Sequence, residues 1–196
     1  MIEVRWHGRG GQGVVTSSRL LAHAAVIEGK YAIHIPEFGP ERRGAPVRAF
    51  TRIDDKPIEI RYSVINPDIV VVIDPGLVEM REYILEGLKE SGTIVINRPI
   101  EKAEGFPGFK TYAVNAFRIA LDELGGPIYN TPMIGALIGA TKIISLESIK
   151  KAVYDRFSKE VAERNIKAIE RGYKAVSYTH LRAHETEADL VCRLLL

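Results

Sequence analysis

The chain has 196 residues, of which 46% are hydrophobic and 27% are charged, and this length and composition are typical of one globular domain. The 27 basic side chains nearly balance the 25 acidic ones, which argues against nucleic acid as the main partner. No apolar run approaches the ~20 residues of a membrane-spanning helix, and the first residues lack the pattern of a signal peptide. We therefore expect a cytoplasmic protein with neither a nucleic-acid nor a membrane partner.

The first elements form a strand, a glycine-rich turn, a helix and a second strand. Ile2–His7 is short and apolar-rich and predicts the first strand. Apolar residues recur at helical spacing over Val14–Gly29, and Tyr31–Ile35 has the composition of a strand. This order predicts a βαβ unit.

A loop and a β-hairpin are predicted next. Pro36–Pro46 is rich in proline and glycine and therefore indicates a loop. Val47–Ile53 and Ile58–Tyr62 flank the turn-like Asp54–Pro57 and predict the two arms of the hairpin.

Strands and helices then alternate. The predicted strands are 69–73, 93–97 and 110–114, the predicted helices are 77–90, 116–124 and 132–144, and a helical pattern runs on from Leu146. The fold class that follows is α/β, with three layers, a mainly parallel sheet, helices on both faces and an inserted β-hairpin. Residues 1–176 are expected to form a single domain. Residues 177–196 abandon the preceding pattern and are interpreted as a foreign or disordered tail.

The glycine-rich turn is the first candidate site. Its residues, which fit the pattern G-x-G-x-x-G between a strand and a helix, are Gly8, Arg9, Gly10, Gly11, Gln12 and Gly13. Glycines let a backbone approach a phosphate, and the helix start that follows offers free N–H groups. A tight turn without a ligand is the alternative. A dinucleotide would need an acid at the end of the second strand, but Glu37 lies beyond a proline, so binding of NAD is disfavoured.

Arg42 and Arg43 are the second candidate. Adjacent guanidinium groups can hold a phosphate or a carboxylate, although a solvated charged loop is an equally good interpretation. His7 and His34 end strands near the same edge and are interpreted as structural. Thr131 is predicted to cap the helix that starts at Pro132.

No catalytic or metal-binding motif is present. The sequence has no G-x-S-x-G, no H-E-x-x-H and no C-x-x-C. The single cysteine, Cys192, excludes an intramolecular disulfide and an iron–sulfur cluster held by cysteines of this chain. We therefore expect no catalytic residue and no metal ligand here.

Several longer motifs, taken together, resemble one known family. They are Gly8–Val15, Phe38–Val47, Asn66–Asp68, Pro132–Ala136, Ser145–Ile149 and Ala162–Asn165. In this order, from Met1 to about Ala175, they resemble the gamma subunit of 2-oxoacid:ferredoxin oxidoreductases, most of all the pyruvate and 2-ketoisovalerate enzymes. The tail departs from the family.

The resemblance implies a subunit of an enzyme that oxidatively decarboxylates a 2-oxoacid to acyl-CoA and reduces ferredoxin. It implies alpha, beta and delta subunits as partners, which carry thiamine diphosphate, magnesium and iron–sulfur clusters, and ferredoxin as a partner of the complex. This chain would scaffold the complex and contact coenzyme A, and would be inactive alone. We place that contact at the glycine turn and at Arg42 and Arg43. A free-standing Rossmann-like nucleotide-binding module and a purely structural subunit are the alternatives.

Overall fold

A mixed six-stranded sheet forms the centre of the protein. The computed structural model describes residues 1–37, 44–99 and 105–182, with side chains as far as Val176. The strands are β1 (Ile2–Arg9), β2 (Tyr31–Glu37), β3 (Pro46–Asp54), β4 (Ile69–Val72), β5 (Thr93–Asn97) and β6 (Lys110–Val114). The helices are α1 (Val14–Ile27), α2 (Arg81–Leu85), α3 (Ala116–Leu124), α4 (Asn130–Thr141), α5 (Leu146–Arg156) and α6 (Lys159–Arg182), and a 3₁₀-helix spans Pro75–Glu79. The predicted α/β class is confirmed.

The sheet is parallel on one side and antiparallel on the other. Its strand order is β2-β3-β1-β4-β5-β6. β1, β4, β5 and β6 run parallel, whereas β3 is antiparallel to both β1 and β2. The predicted β1–α1–β2 order is confirmed, with β3 inserted between the two parallel strands.

The hairpin is present, but the prediction of its second arm was wrong. β3 pairs with β2, and Ile58–Tyr62 forms no strand. The buried guanidinium of Arg52 gives the physical reason, because it donates to the carbonyl oxygens of Ile60 and Tyr62 at 3.2 and 2.6 Å. These carbonyls are satisfied by a side chain instead of a neighbouring strand.

The two faces of the sheet are covered unequally. On one face Val4 and Trp6 of β1 join a large apolar core with residues of α1, α4, α5 and α6. On the other face a smaller core lies under the 3₁₀-helix and α2. There β1 contributes the polar side chains of Arg5 and His7, which are fully buried.

Glycines allow α4 and α6 to pack backbone against backbone. Every residue of α4 from Asn130 to Gly139 is buried. A Cβ atom on Gly135 would lie 2.0 Å from the carbonyl oxygen of Ile169, and one on Gly172 would lie 2.2 Å from that of Pro132. Because these separations are too short for any side chain, the core depends on glycine at both positions.

The predicted helix over 77–90 was wrong in extent. The segment is broken at Met80 into the 3₁₀-helix and α2, and α2 ends at Leu85. Gly87 then adopts φ +64°, and a Cβ there would lie 2.2 Å from the carbonyl oxygen of Ile65. The helix ends before Glu90 because the backbone at Gly87 passes close to the backbone at Ile65.

Some predicted element bounds are confirmed, whereas one predicted helix cap is not. The bounds of β5, β6 and α3 are as predicted. Thr131 does not cap α4, which begins at Asn130 without a side-chain cap. The Thr131 hydroxyl donates to Asn165 Oδ1 at 3.0 Å instead.

The predicted domain boundary at 176/177 falls inside α6, whose backbone continues to Arg182, and residues 183–196 lie outside the described residues. Within the described parts of the chain, no helix combines the length and the apolar character needed to cross a membrane.

Candidate functional site at the glycine turn

The glycine turn lies at the carboxyl end of β1, where the parallel strands end. Gly8 and Arg9 still belong to β1 and pair with Val47 and Pro46 of β3. The Gly10 N–H donates to the carbonyl oxygen of Ala45 at 3.0 Å. The turn therefore lies, as the strand–turn–helix order predicted, at the edge of the sheet where ligands bind in open α/β folds.

The turn needs glycine at three positions for two different reasons. Gly11 and Gly13 adopt φ +92° and +77°, in the left-handed region that favours glycine. Gly8 is required for close packing, because a Cβ atom there would lie 2.5 Å from Val14 Cγ2 at the start of α1. The motif thus has a structural basis in this chain independent of any ligand.

Asp74, which sequence reasoning did not assign to the site, organises the turn. It follows β4 and is 8% exposed. Its carboxylate accepts from Arg9 Nε at 3.2 Å, from Gln12 Nε2 at 2.6 Å and from the Gly76 N–H at 3.0 Å. Gln12 Oε1 in turn accepts from the Arg9 N–H at 2.8 Å. The signal in the sequence is an acid directly after a buried strand that neighbours β1.

Arg9 is therefore used inside the protein. Besides Asp74, its guanidinium donates through Nη1 to the carbonyl oxygen of Gly44 at 3.0 Å. These bonds link the turn to the segment before β3 and to the loop after β4. Gly8 to Gly13 form the predicted turn between a strand and a helix. The polar side chains of the motif, Arg9 and Gln12, both donate hydrogen bonds to Asp74.

The first turn of α1 has no side-chain cap. Gly13 precedes α1 and has no side chain to accept from the helix, and no acidic residue lies in its first turn. The first N–H groups of a helix have no partner within the helix and attract negative charge. A Cβ atom on Gly13 would lie 2.8 Å from Asn130 Nδ2, so glycine also lets this amide donor, at the start of α4, approach the same place.

The loop that carries the second candidate lies outside the described residues. Arg42 and Arg43 belong to 38–43. The chain leaves β2 at Glu37, whose carboxylate accepts from Arg48 Nε at 2.5 Å and from Nη2 at 3.1 Å. Because β3 separates β2 from β1 and Arg48 holds Glu37, this acid is not placed to bind a ribose as in a dinucleotide site.

His7 is buried on the face of the sheet opposite α1. Its Nε2 accepts from Arg5 Nε at 2.9 Å, and its ring meets that of Tyr83 edge-on, with centroids 4.9 Å apart. Burial above all, and then the charges of Arg5 and Arg48, hold the pKa of His7 well below its usual value. The interpretation of His7 as structural fits this neutral, enclosed ring.

The fold and the turn define a class of protein: an α/β domain whose glycine turn presents a helix N-terminus at the carboxyl edge of a mixed sheet. Residues 3–175 match the family described as pyruvate ferredoxin/flavodoxin oxidoreductase. The pyruvate synthase subunit PorC of Methanocaldococcus jannaschii is 51% identical over 173 residues, which cover 88% of this chain and 96% of that protein. The common gamma subunit of the pyruvate/ketoisovalerate oxidoreductases of Pyrococcus abyssi is 48% identical, over 89% of this chain and 96% of that one.

Solved structures agree with this result. The crystal structure of the pyruvate oxidoreductase subunit PorC of Thermotoga maritima matches with a TM-score of 0.76 and 43% identity, over 89% of this chain and 96% of that one. The chain belongs to the pyruvate ferredoxin/flavodoxin oxidoreductase family, as a subunit of the gamma type. A 2-oxoglutarate:ferredoxin oxidoreductase from Magnetococcus marinus shares the fold, with a TM-score of 0.71 at 19% identity over 31% of its length.

Proposed function

We propose that this chain is the gamma subunit of a complex with alpha, beta and delta subunits that converts a 2-oxoacid and coenzyme A to acyl-CoA and passes electrons to ferredoxin. Within it, the chain scaffolds the complex and binds a phosphate of coenzyme A at the first turn of α1, with Arg42 and Arg43 as further ligands. Thiamine diphosphate, magnesium and the iron–sulfur clusters belong to the partner subunits. The chain itself has one cysteine, too few to hold an iron–sulfur cluster.

The observation that carries the coenzyme A contact is the uncapped N-terminus of α1 at the carboxyl edge of the sheet. The carboxylate of Asp74 lies nearby, but Arg9 offsets its charge. The donors that face a ligand are then the N–H groups of the first turn and the amide of Asn130. These groups fit a phosphate, because they supply hydrogen bonds and partial positive charge without an opposing free acid.

The test is made in the assembled enzyme with Arg42→Gln and Arg43→Gln. Each change removes a charge-assisted hydrogen bond of about 1.5–3 kcal/mol, so the KM for coenzyme A is expected to rise roughly 10- to 150-fold. The half-reaction with the oxoacid, measured without coenzyme A, is expected to stay near normal. Arg61→Gln is the matched control, because Arg61 is exposed and lies in the segment between β3 and β4.

A purely structural role is the competing proposal, and the internal bonds of Arg9 and Gln12 to Asp74 favour it. An unchanged KM for coenzyme A in both arginine variants would exclude Arg42 and Arg43 from the coenzyme A site and favour this role. The subunit assignment has a separate test. The isolated chain should not reduce a viologen dye with pyruvate, and turnover by the purified chain alone would contradict the division of roles between subunits.

A further inference from the structure

A second concavity lies along α1, away from the glycine turn. Its volume is about 580 Å³, and it is walled by α1, β2 and the end of α5. β2 is an edge strand, and the three consecutive residues Ala32, Ile33 and His34 all line the cavity. Because successive strand residues point to opposite faces, the cavity borders the outer edge of β2. Its first residue on α1, Arg19, is about 9 Å along the helix axis from Gly13, so this pocket is separate from the turn.

Two arginines bring unpaired positive charge to the pocket. Arg19 and Arg156 are both exposed, and neither has an ion pair with a carboxylate among the described residues. The guanidinium of Arg156 lies over the ring of Phe157, 5.8 Å from its centroid. The pocket also contains Asp155, but this carboxylate is 3.4 Å from His23 Nε2. The lining therefore carries a net positive charge.

His34 adds a polar atom without a partner. Its Nδ1 is buried and makes no hydrogen bond with any of the described residues. The pKa of His34 is lowered by burial and by the charge of Arg19, so the ring is neutral at physiological pH and lies within the field of that guanidinium. A negatively charged group in the pocket would be attracted by the guanidinium of Arg19 and would not be repelled by the neutral ring.

Apolar side chains form the rest of the lining, among them Leu20, Val26 and Ile33. No cluster of His, Cys, Asp and Glu able to hold a metal ion occurs in the described parts of the chain. A pocket of this volume suits a small molecule, and the planar fork of arginine matches a carboxylate. We propose that this pocket binds a small organic acid, with its carboxylate at Arg19 and Arg156 and its apolar stem against α1 and the edge of β2.

The probe is hexanoate, titrated into the full-length ¹⁵N-labelled protein and followed through the imidazole signals of His23 and His34. Hexanoate is expected to shift both signals saturably. Hexanamide, which has the same stem but no charge, and acetate, which has the charge but no stem, are expected to bind at least tenfold more weakly. Arg19→Gln and Arg156→Gln are each expected to weaken hexanoate binding about tenfold, the effect of one charge-assisted contact.

Arg118→Gln is the matched control, because Arg118 is 69% exposed on α3 and takes no part in the pocket. It should bind hexanoate as the unchanged protein does. Arg19 and Arg156 are exposed, so their variants should keep the melting temperature and report on binding alone. Equal shifts with hexanamide and hexanoate, or undiminished hexanoate binding in both pocket variants, would overturn the proposal.

Discussion

Arg5 Nε donates to His7 Nε2 at 2.9 Å in the interior of the protein, where the two side chains are 1% and 0% exposed. Since the guanidinium is always the donor, Nε2 of His7 is an acceptor and the ring proton is on Nδ1. That Nδ1 has no partner among the described residues. Burial lowers the pKa of Arg5 to about 10, so Arg5 is still charged at neutral pH. Burial is the main cause of the depressed pKa of His7, and a protonated ring would in addition place two cations in contact.

The depressed pKa of His7 makes stability depend on pH. In the unfolded chain His7 titrates near its usual pKa of about 6.5, while in the folded protein it stays neutral to much lower pH. Below pH ~6.5 the unfolded state thus binds a proton that the folded state does not. The free energy of unfolding should fall as pH is lowered from 6.5 to 5.5, by at most about 1.4 kcal/mol per pH unit from this residue.

Urea denaturation at several pH values measures this slope. His7→Gln keeps an acceptor for Arg5 but cannot titrate, so its stability curve should be flatter between pH 6.5 and 5.5. His34→Gln is the comparison: the pKa of His34 is also lowered, but the ring is only partly buried, so its contribution to the slope should be smaller. Equal slopes for His7→Gln and the unchanged protein would show that His7 does not cause the dependence.

Asp74→Ala should destabilise the protein and loosen the glycine turn. The change removes the acceptor for Arg9, Gln12 and the Gly76 N–H, and a buried donor without a partner costs about 1–3 kcal/mol. Since Arg9 can turn to water, we expect a total loss of ~2–3 kcal/mol, seen in urea denaturation. Amide hydrogen exchange of Gly10 to Gly13 should accelerate as well.

Asp55→Asn is the matched control for Asp74, because the Asp55 side chain is exposed and accepts no hydrogen bond from the residues that the structure describes. It should leave both measurements unchanged. If the Asp74→Ala and Asp55→Asn variants showed the same amide hydrogen exchange and the same stability to urea, the turn would be held by its backbone hydrogen bonds alone. The coenzyme A contact could then be tested in the Asp74→Ala variant, because the turn would keep its structure without this carboxylate.

The sequence predicted local structure better than pairing between distant segments. β5, β6 and α3 have the predicted bounds because their periodicity and end signals are local. The second arm of the hairpin was wrong because Arg52, whose bonds depend on tertiary packing, satisfies the carbonyls of that segment. At the site, the motif located the glycine turn, but Asp74 is brought to it only by the parallel pairing of β1 with β4, which one sequence does not specify.

Gly135→Ala should be strongly destabilising although alanine favours helix formation. Its Cβ atom would lie 2.0 Å from the carbonyl oxygen of Ile169, so α4 and α6 would have to move apart. Overpacking of a core costs about 1–3 kcal/mol or more, and at about 2–4 °C per kcal/mol for this size the melting temperature should fall by several degrees. Gly126→Ala is the control, because no atom lies within 4 Å of its added Cβ, and it should melt as the unchanged protein does.

The last prediction is that residues 177–196 contribute little to stability. The family match ends at residue 175, and Val176 is the last residue whose burial the structure describes, at 0% exposure. Truncation after Val176 keeps this apolar contact and removes the segment that departs from the preceding pattern. The melting temperature should therefore stay within about 4 °C, which corresponds to roughly 1 kcal/mol for a domain of this size. Truncation after Tyr173, which also removes Val176, is the comparison and should cost more, since it deletes a buried side chain. A large drop after the first truncation would show that the terminal segment packs on the domain, and that the domain extends beyond residue 176.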